Sequence, residues 1–402
     1  MSLLILSNEL LTLILSFDQI LTRHDLYSSF MVCRRLNHVS QPLLYRSMKI
    51  FCNNLRQTFV HPFDEIVDLF NQHPERLPWV HNVIAAWHPQ NHKATTSLFE
   101  LLLKFPRLHS LEFWPAGPWD EDPPFQTLLN TCYMFTSLRI LKIARIEVDH
   151  TFKLFEIPYL EKLVIRGLTV PPDWDVVPAQ SSRPSRVKKL VIPMATCFPL
   201  GLYAELLCKC HPFVTTLVWT FDPAIPPPLQ YPAAVLKALA PLQTSLVNLT
   251  FLINNDTRIY GVSQMDYSGF LGLKNLEIHE KLTFGRYFSS FIPGPPFHRG
   301  DIHDRLPKTL ENLKIWFGKD SKALTYGPLG LPAYGWLMDF VPRKQSLLGN
   351  LTSVRLLEMS DWQYFKRPTA AAIEWNYPPD VEQSFRDARI HLEVKLRSDS
   401  LT

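Results

Sequence analysis

One hexapeptide returns ten times along the chain: VHNVIA at 80, LHSLEF at 108, LRILKI at 138, LEKLVI at 160, VKKLVI at 187, VTTLVW at 214, LVNLTF at 246, LKNLEI at 273, LENLKI at 310 and LTSVRL at 351. Its first, fourth and sixth positions are apolar in every copy. In an extended strand the side chains alternate, so the fourth and sixth residues, Leu163 and Ile165 for example, point into a core while the third, fifth and seventh face outward. A six-residue strand buries little alone; stacked copies share one core, so each copy adds a strand to a parallel sheet. Between copies lie helical patterns, ATTSLFELLLKF at 94–105, LYAELLCKC at 202–210 and AAVLKALAPL at 233–242, which would cover the back of that sheet.

Successive copies start 28, 30, 22, 27, 27, 32, 27, 37 and 41 residues apart. The array resembles irregular leucine-rich repeats, whose period is about 20 to 29 residues. The resemblance spans the region 76–360 and implies an α/β solenoid, a parallel β-sheet horseshoe with outer helices. That family's usual Asn, three residues past the sixth position, survives only as Asn254; Ala116, Ile146, Leu168, Ala195, Asp222, Lys281 and Gly318 stand elsewhere. The family's Asn ladder is therefore not expected. At the end, PPDVEQSFRDARIHLEV predicts a helix from Val381 capped by Asp380 and a strand from Ile390 to Val394, within a closing segment at 361–402.

With 402 residues, 46% hydrophobic and 19% charged, the chain has enough apolar material to fold throughout. The 41 basic and 37 acidic residues leave +4, too little and too dispersed for a nucleic-acid or membrane footprint. Six cysteines, at 33, 52, 132, 197, 208 and 210, fall mostly in apolar segments, as free thiols of a reducing compartment do. The start, MSLLILSNELLTLILSF, has no Lys or Arg ahead of its apolar run and is broken by Asn8 and Glu9, unlike a signal peptide. No later run approaches the about 20 apolar residues of a membrane span.

Ahead of the array, Leu10, Leu13, Ile14 and Phe17 recur at helical spacing, and Leu11 and Leu15 form a second apolar face. Ser7 can cap this helix, with Glu9 in its first turn. A second helix is expected after Asp25, burying Leu26, Phe30 and Cys33. A third carries Arg34, Arg35, Leu36 and Val39, and a short fourth begins near Pro42 with Leu43, Leu44 and Tyr45. So small a unit cannot cover both faces of its first helix, which points to a second chain. LSNELLTLILSF followed by DLYSSFMVCRRLNHVSQPLLY resembles the F-box, in the fungal-type arrangement with C-terminal leucine-rich repeats. Ser7 stands where that family usually has Pro, and Leu36 where it often has Trp. The resemblance implies docking on the Skp-type adaptor of a cullin-RING ubiquitin ligase, with Leu6, Ser7, Leu10, Ile14, Leu26, Val32, Cys33, Leu36 and Tyr45 at adaptor-binding or core positions. The module is taken as 1–48, with a linking helical segment at 49–75.

No nucleophile, zinc-protease, dinucleotide or phosphate-loop motif is present. CKCH at 208–211 lacks a second ligand pair and reads as packing; HRGDIHD at 298–304 reads as a solvated polar turn. Insertions rich in Pro and aromatics follow strands at one phase: 114–125, 168–178, 221–232, 285–300 and 318–336. They bring Trp114, Trp119, Trp174, Tyr287 and Trp336 to one rim. Lys142, Lys162, Arg166 and Lys189 form a basic strip on outward strand positions, while Trp316 belongs to a mixed second half. The target-binding candidates are therefore Trp114, Trp119, Lys142, Lys162, Arg166, Trp174, Lys189 and Trp316, facing an acidic or phosphorylated segment of a protein target. The expectation is a non-enzymatic receptor subunit of an SCF-type ligase in the cytoplasm or nucleus, with no cofactor, metal, nucleic acid or membrane. The alternative is a leucine-rich-repeat scaffold that works without the ligase.

Overall fold

The structure, a computed structural model, describes residues 5–16, 22–51, 63–87, 92–115, 132–147, 151, 153–169, 185–195, 207–208, 212–221, 236–253, 265–284, 299–317, 334–358, 373–374 and 378–396. Two compact units divide the chain: Met1–Ile165 with Arg183–Arg186, and Arg166–Ser182 with Val187–Thr402. Each is a mixed α/β assembly in which stacked parallel strands alternate with helices or turns, as a leucine-rich-repeat-like solenoid requires.

The first unit opens with helices α1 (Asn8–Leu15), α2 (Arg23–Val32) and α3 (Arg34–Arg46). Then come β1 (Ser47–Phe51), α4 (Phe63–Gln72), a 3-10 helix (Pro74–Trp79), β2 (Asn82–Trp87) and α5 (His92–Leu103). Strands β3 (Ser110–Pro115), β4 (Ile140–Glu147) and β5 (Lys162–Thr169) follow, in chain order across the sheet. The expected break at Pro42 does not occur: α3 runs through it. Pro42 removes one backbone bond, but Leu36, Val39, Leu43 and Leu44 share one buried side, and only a continuous helix brings all four to the core. The Ser40 hydroxyl adds a bond to the Leu36 carbonyl at 2.7 Å.

The sheet also starts earlier than the hexapeptides announce. β1 pairs with β2 in parallel, Met48 against Val83 and Ile50 against Ala85, so YRSMKI at 45–50 is a copy with Tyr45 in first place. The strand spans residue 48, where the sequence places the end of the helical module. Tyr45 closes this end of the repeat core: its ring lies 6.2 Å from Phe70 and 6.0 Å from Trp79, and its hydroxyl accepts from the Arg76 guanidinium at 2.8 Å.

The second unit holds β6 (Lys189–Ala195), β7 (Thr216–Phe221), β8 (Asn248–Ile253), β9 (Asn275–His279), β10 (Asn312–Phe317), β11 (Ser353–Glu358), β12 (Ile373–Glu374) and β13 (His391–Leu396). Helices α6 (Glu280–Phe284), α7 (Gly335–Met338), α8 (Phe340–Ser346) and α9 (Pro379–Asp387) lie between them. Fourth positions stand in one row from Leu190 through Leu217, Leu249, Leu276, Leu313 and Val354 to Leu392. The sixth positions Ile192, Trp219, Phe251, Ile278, Ile315, Leu356 and Val394 are all 0% exposed, so the hexapeptide's alternation is the core of the fold. Helix α9 starts at Pro379, two residues before the expected Val381. Its N-cap is Pro378 rather than Asp380, because a proline's preset φ suits the first helical position. β12 lies antiparallel on β13 and covers its edge.

Two hydrogen-bond systems hold register at the strand starts. The carbonyl of the second position accepts both the second and third N–H of the next copy, as Val247 does from Lys274 at 2.9 Å and Asn275 at 3.0 Å. At the third position the side chains join: Asn312 Nδ2 donates to Asn275 Oδ1 at 2.7 Å, Asn275 to Asn248 Oδ1 at 2.6 Å, and Asn248 to Thr216 Oγ1 at 2.9 Å. An asparagine ladder therefore exists, but on the strand rather than in the turn after it. Asn275→Ala is expected to cost about 1–3 kcal/mol, because it strands the Asn248 acceptor and the Asn312 donor together. Urea unfolding measures this; a change of a few tenths would mean that water replaces the ladder freely.

Candidate functional site

In the N-terminal helices, the Ser7 hydroxyl accepts the Leu10 N–H at 3.4 Å and starts α1 where expected. Thr22 and Asp25 form a reciprocal capping box that starts α2 before Asp25 rather than after it. Arg35 Nε donates to Asn8 Oδ1 at 2.9 Å, and its guanidinium also reaches the Leu6 carbonyl, tying α3 to the start of α1. Leu11 and Leu15 of α1 are buried with Leu26 and Val39, and Leu6, Leu36, Leu43 and Leu44 pack against them.

The opposite face of α1 is open. Leu10, Leu13 and Ile14 are exposed, Leu10 to 47%, as are Tyr27, Met31 and Val32 of α2, Val32 to 68%. Leaving such side chains in water forgoes about 1.5–3 kcal/mol each relative to burial. Of the residues carried over from the family pattern, Ser7, Leu10, Ile14 and Val32 are exposed and Cys33 is half-buried. Leu26, Leu36 and Leu6 belong to the module's own core, and Tyr45 closes the first repeat instead. Phe17 lies outside the described residues.

On the sheet, the fifth positions carry charge that is largely paired, except that Val164 and Val191, expected to face outward, are buried. Glu112 accepts from Lys142 Nζ at 2.7 Å and from Trp114 Nε1 at 2.8 Å. The second unit repeats the arrangement: Glu277 accepts from Trp316 Nε1 at 2.5 Å and Lys314 Nζ at 3.4 Å. Glu393 sits between Arg355 and Lys395, and the Arg355 hydrogen bond leads in pulling its carboxyl down to about 2. The stability it contributes is complete above the ordinary pKa of 4.5 and is lost as pH falls toward 2.

The expected basic strip changes accordingly. Lys142 is neutralised by Glu112; half-buried Lys162 lies in the first unit, whereas half-buried Arg166 and exposed Lys189 fall in the second. Trp316 is buried, not presented to a target: it packs with Leu252 and Leu357, and the Lys314 ammonium lies 5.5 Å from its ring centre. In the second unit the seventh position is buried from β7 to β11, at Thr220, Leu252, His279, Trp316 and Leu357, and half-buried at Lys395 of β13. Trp114 is half-buried. Trp336 is buried edge-on against Phe340 rather than exposed on a rim. Trp119, Trp174 and Tyr287 lie outside the described residues. HRGDIHD is not a solvated turn throughout: a 3-10 helix, Arg299–Arg305, buries Ile302 and His303, the latter 4.2 Å from the Phe340 ring, and leaves Asp304 exposed to pair with Arg343. Cys208 is buried, as packing requires.

Sequence reading passed over the second position of the hexapeptide in the first unit. It holds Arg46, His81, His109 and Arg139, whose backbones are joined in succession by N–H to carbonyl bonds of 3.0, 2.7 and 2.9 Å. The signal was present as YR, VH, LH and LR opening successive copies. Beside this row, the guanidinium groups of Arg139 and Arg186 each lie 4.8 Å from the centre of the Tyr159 ring. Among the described residues no group of three or more His, Cys, Asp or Glu could hold a metal ion, and no helix is long and apolar enough to cross a membrane.

No family model matches the chain, and no curated protein matches it. Among solved structures it is similar to a crystal structure of a protein from Bacteroides fragilis, at 10% identity and a TM-score of 0.32, over 90% of this chain and 77% of that one. So distant a likeness carries no argument about function.

Proposed function

We propose that the chain is a substrate-recognition subunit of an SCF-type cullin-RING ubiquitin ligase. Its N-terminal helices resemble an F-box and dock on a Skp-type adaptor, and its repeat array holds a protein target. The chain does no covalent chemistry of its own: holding a target near the ligase's loaded partner raises the local concentration of acceptor lysines. The observation that carries this reading is a module with its own core, Leu11, Leu15, Leu26 and Val39, that nevertheless leaves Leu10, Leu13 and Ile14 in water. A helical cap serving only the repeat array would turn that face onto the array. The compartment that suits the reading is cytoplasm or nucleus.

Co-expression of the full chain with a Skp-type adaptor, followed by affinity capture and size-exclusion chromatography, tests it. A stoichiometric complex is expected. A folded chain that leaves the adaptor behind, while a standard F-box protein retains it, removes the ligase reading and leaves a repeat scaffold.

A further inference from the structure

We propose that the strand starts of the first unit form a recognition face for an extended acidic peptide segment, built on Arg46, Arg107, Arg139 and Arg186 with His81 and His109 between them. This rests on the repeat geometry alone and stands whether or not the chain docks on an adaptor. It also moves the expected acidic target from the strand centres, where Glu112 neutralises Lys142, to the strand starts.

Register supplies the geometry. Arg46, His81, His109 and Arg139 occupy one position in four neighbouring copies and are bonded backbone to backbone. Strands in a sheet lie about 4.8 Å apart, so the row spans about 14 Å, the reach of four or five residues of an extended chain at about 3.3 Å each. Arg107 precedes the first position of its copy, as Tyr159 and Arg186 do of theirs, which sets a second rank beside the row. Partial burial together with Arg46, Arg107 and His109 holds the His81 imidazole below its ordinary pKa, so these cations act on one another.

Charge supplies the selectivity. Arg46, Arg107 and Arg186 are exposed and have no carboxylate partner among the described residues. Glu161, 3.6 Å from Arg139 Nε, is the acidic residue of this row and closes one end of it. Arginine is weakly hydrated and pairs with carboxylates through two parallel bonds, and Tyr159 holds two guanidinium groups in place before any ligand arrives. Pre-placed cations of one sign favour an anionic partner and repel a basic one.

The test uses the purified full chain without adaptor and a fluorescein-labelled octapeptide of alternating Glu and Ser, followed by anisotropy. The expected result is saturable binding that the Gln–Ser counterpart does not show and that weakens as salt is raised to about 0.5 M. Arg107→Glu and Arg186→Glu should each weaken binding about fivefold or more, while Arg107→Lys, which keeps the charge and loses only the paired bonds, weakens it less. Arg107 makes no hydrogen bond among the described residues, so its variants keep the fold. Equal binding of the Glu and Gln peptides, or indifference to both charge reversals, overturns the proposal. So does displacement of the peptide by a single-stranded oligonucleotide at lower concentration than by unlabelled peptide, which would make this a nucleic-acid face. None of these outcomes touches adaptor docking, and loss of adaptor docking leaves this face intact.

Discussion

Leu11→Asp is expected to melt the three N-terminal helices, whereas the double variant Leu10→Asp, Ile14→Asp leaves them folded and removes adaptor binding. The two sites are adjacent on one helix and differ only in which way they face. Leu11 is 1% exposed, in a core with Leu15, Leu26 and Val39. A carboxylate there has no partner, and the effective cost of burying such a charge is several kcal/mol, on the scale of all that so small a core supplies. Leu10 and Ile14 already face water, so their replacement costs the isolated chain little but places two charges in the proposed interface. Hydrogen exchange of the amides in 8–46 separates the cases, with adaptor capture as the second readout. Loss of protection in the double variant would show that the outer face is packed and would weaken the receptor reading.

Phe251→Ala is expected to cost about 3–5 kcal/mol, one of the largest single losses available in the second unit. Phe251 is wholly buried at the sixth position of β8, between Trp219 of β7 and Ile278 of β9 in the same row. Neighbours fixed by their own strands cannot collapse into the space left, so the cavity penalty adds to the lost transfer energy. Val218→Ala, at an outward fifth position on the adjacent strand, should cost no more than about 1 kcal/mol. Guanidinium unfolding of both variants compares them; similar values would mean that the two faces of the sheet are equally covered.

What the sequence made legible follows from where a residue's environment is set by its own strand. The first, fourth and sixth positions face the shared core, so their apolar identity is nearly strict, and Leu163 and Ile165 are buried as alternation expects, although Val164 between them is buried too. The two faces of α1 are equally plain, since Leu11 and Leu15 centre more than about 90° around the helix from Leu10, Leu13 and Ile14. The misses lie where the environment comes from elsewhere. YRSMKI is hard to recognise because Tyr45 and Met48 replace the usual Leu; the tyrosine is explained by Phe70 and Trp79 closing over the first copy. Simple alternation makes the seventh position outward. Leu252, Trp316 and Leu357 are nevertheless buried together, although paired apolar residues in NLTFLI and SVRLLE hinted at cover on both faces. Ile302 gave the same hint within HRGDIHD. Pro42 misled because its local preference lost to four leucine and valine contacts distributed along α3.

The side-chain ladder from Asn312 to Thr216 has a direction: each asparagine gives its amide hydrogen to the preceding copy, and Asn248 and Asn275 offer their oxygens to the following one. Asn275 therefore presents to its successor the same kind of acceptor, an amide oxygen, that it uses in its predecessor, so the joints on its two sides are alike. That explains how start-to-start distances of 27 and 37 residues coexist around Asn275: the ladder constrains only where a strand begins, and the length of chain that returns to it is free to drift.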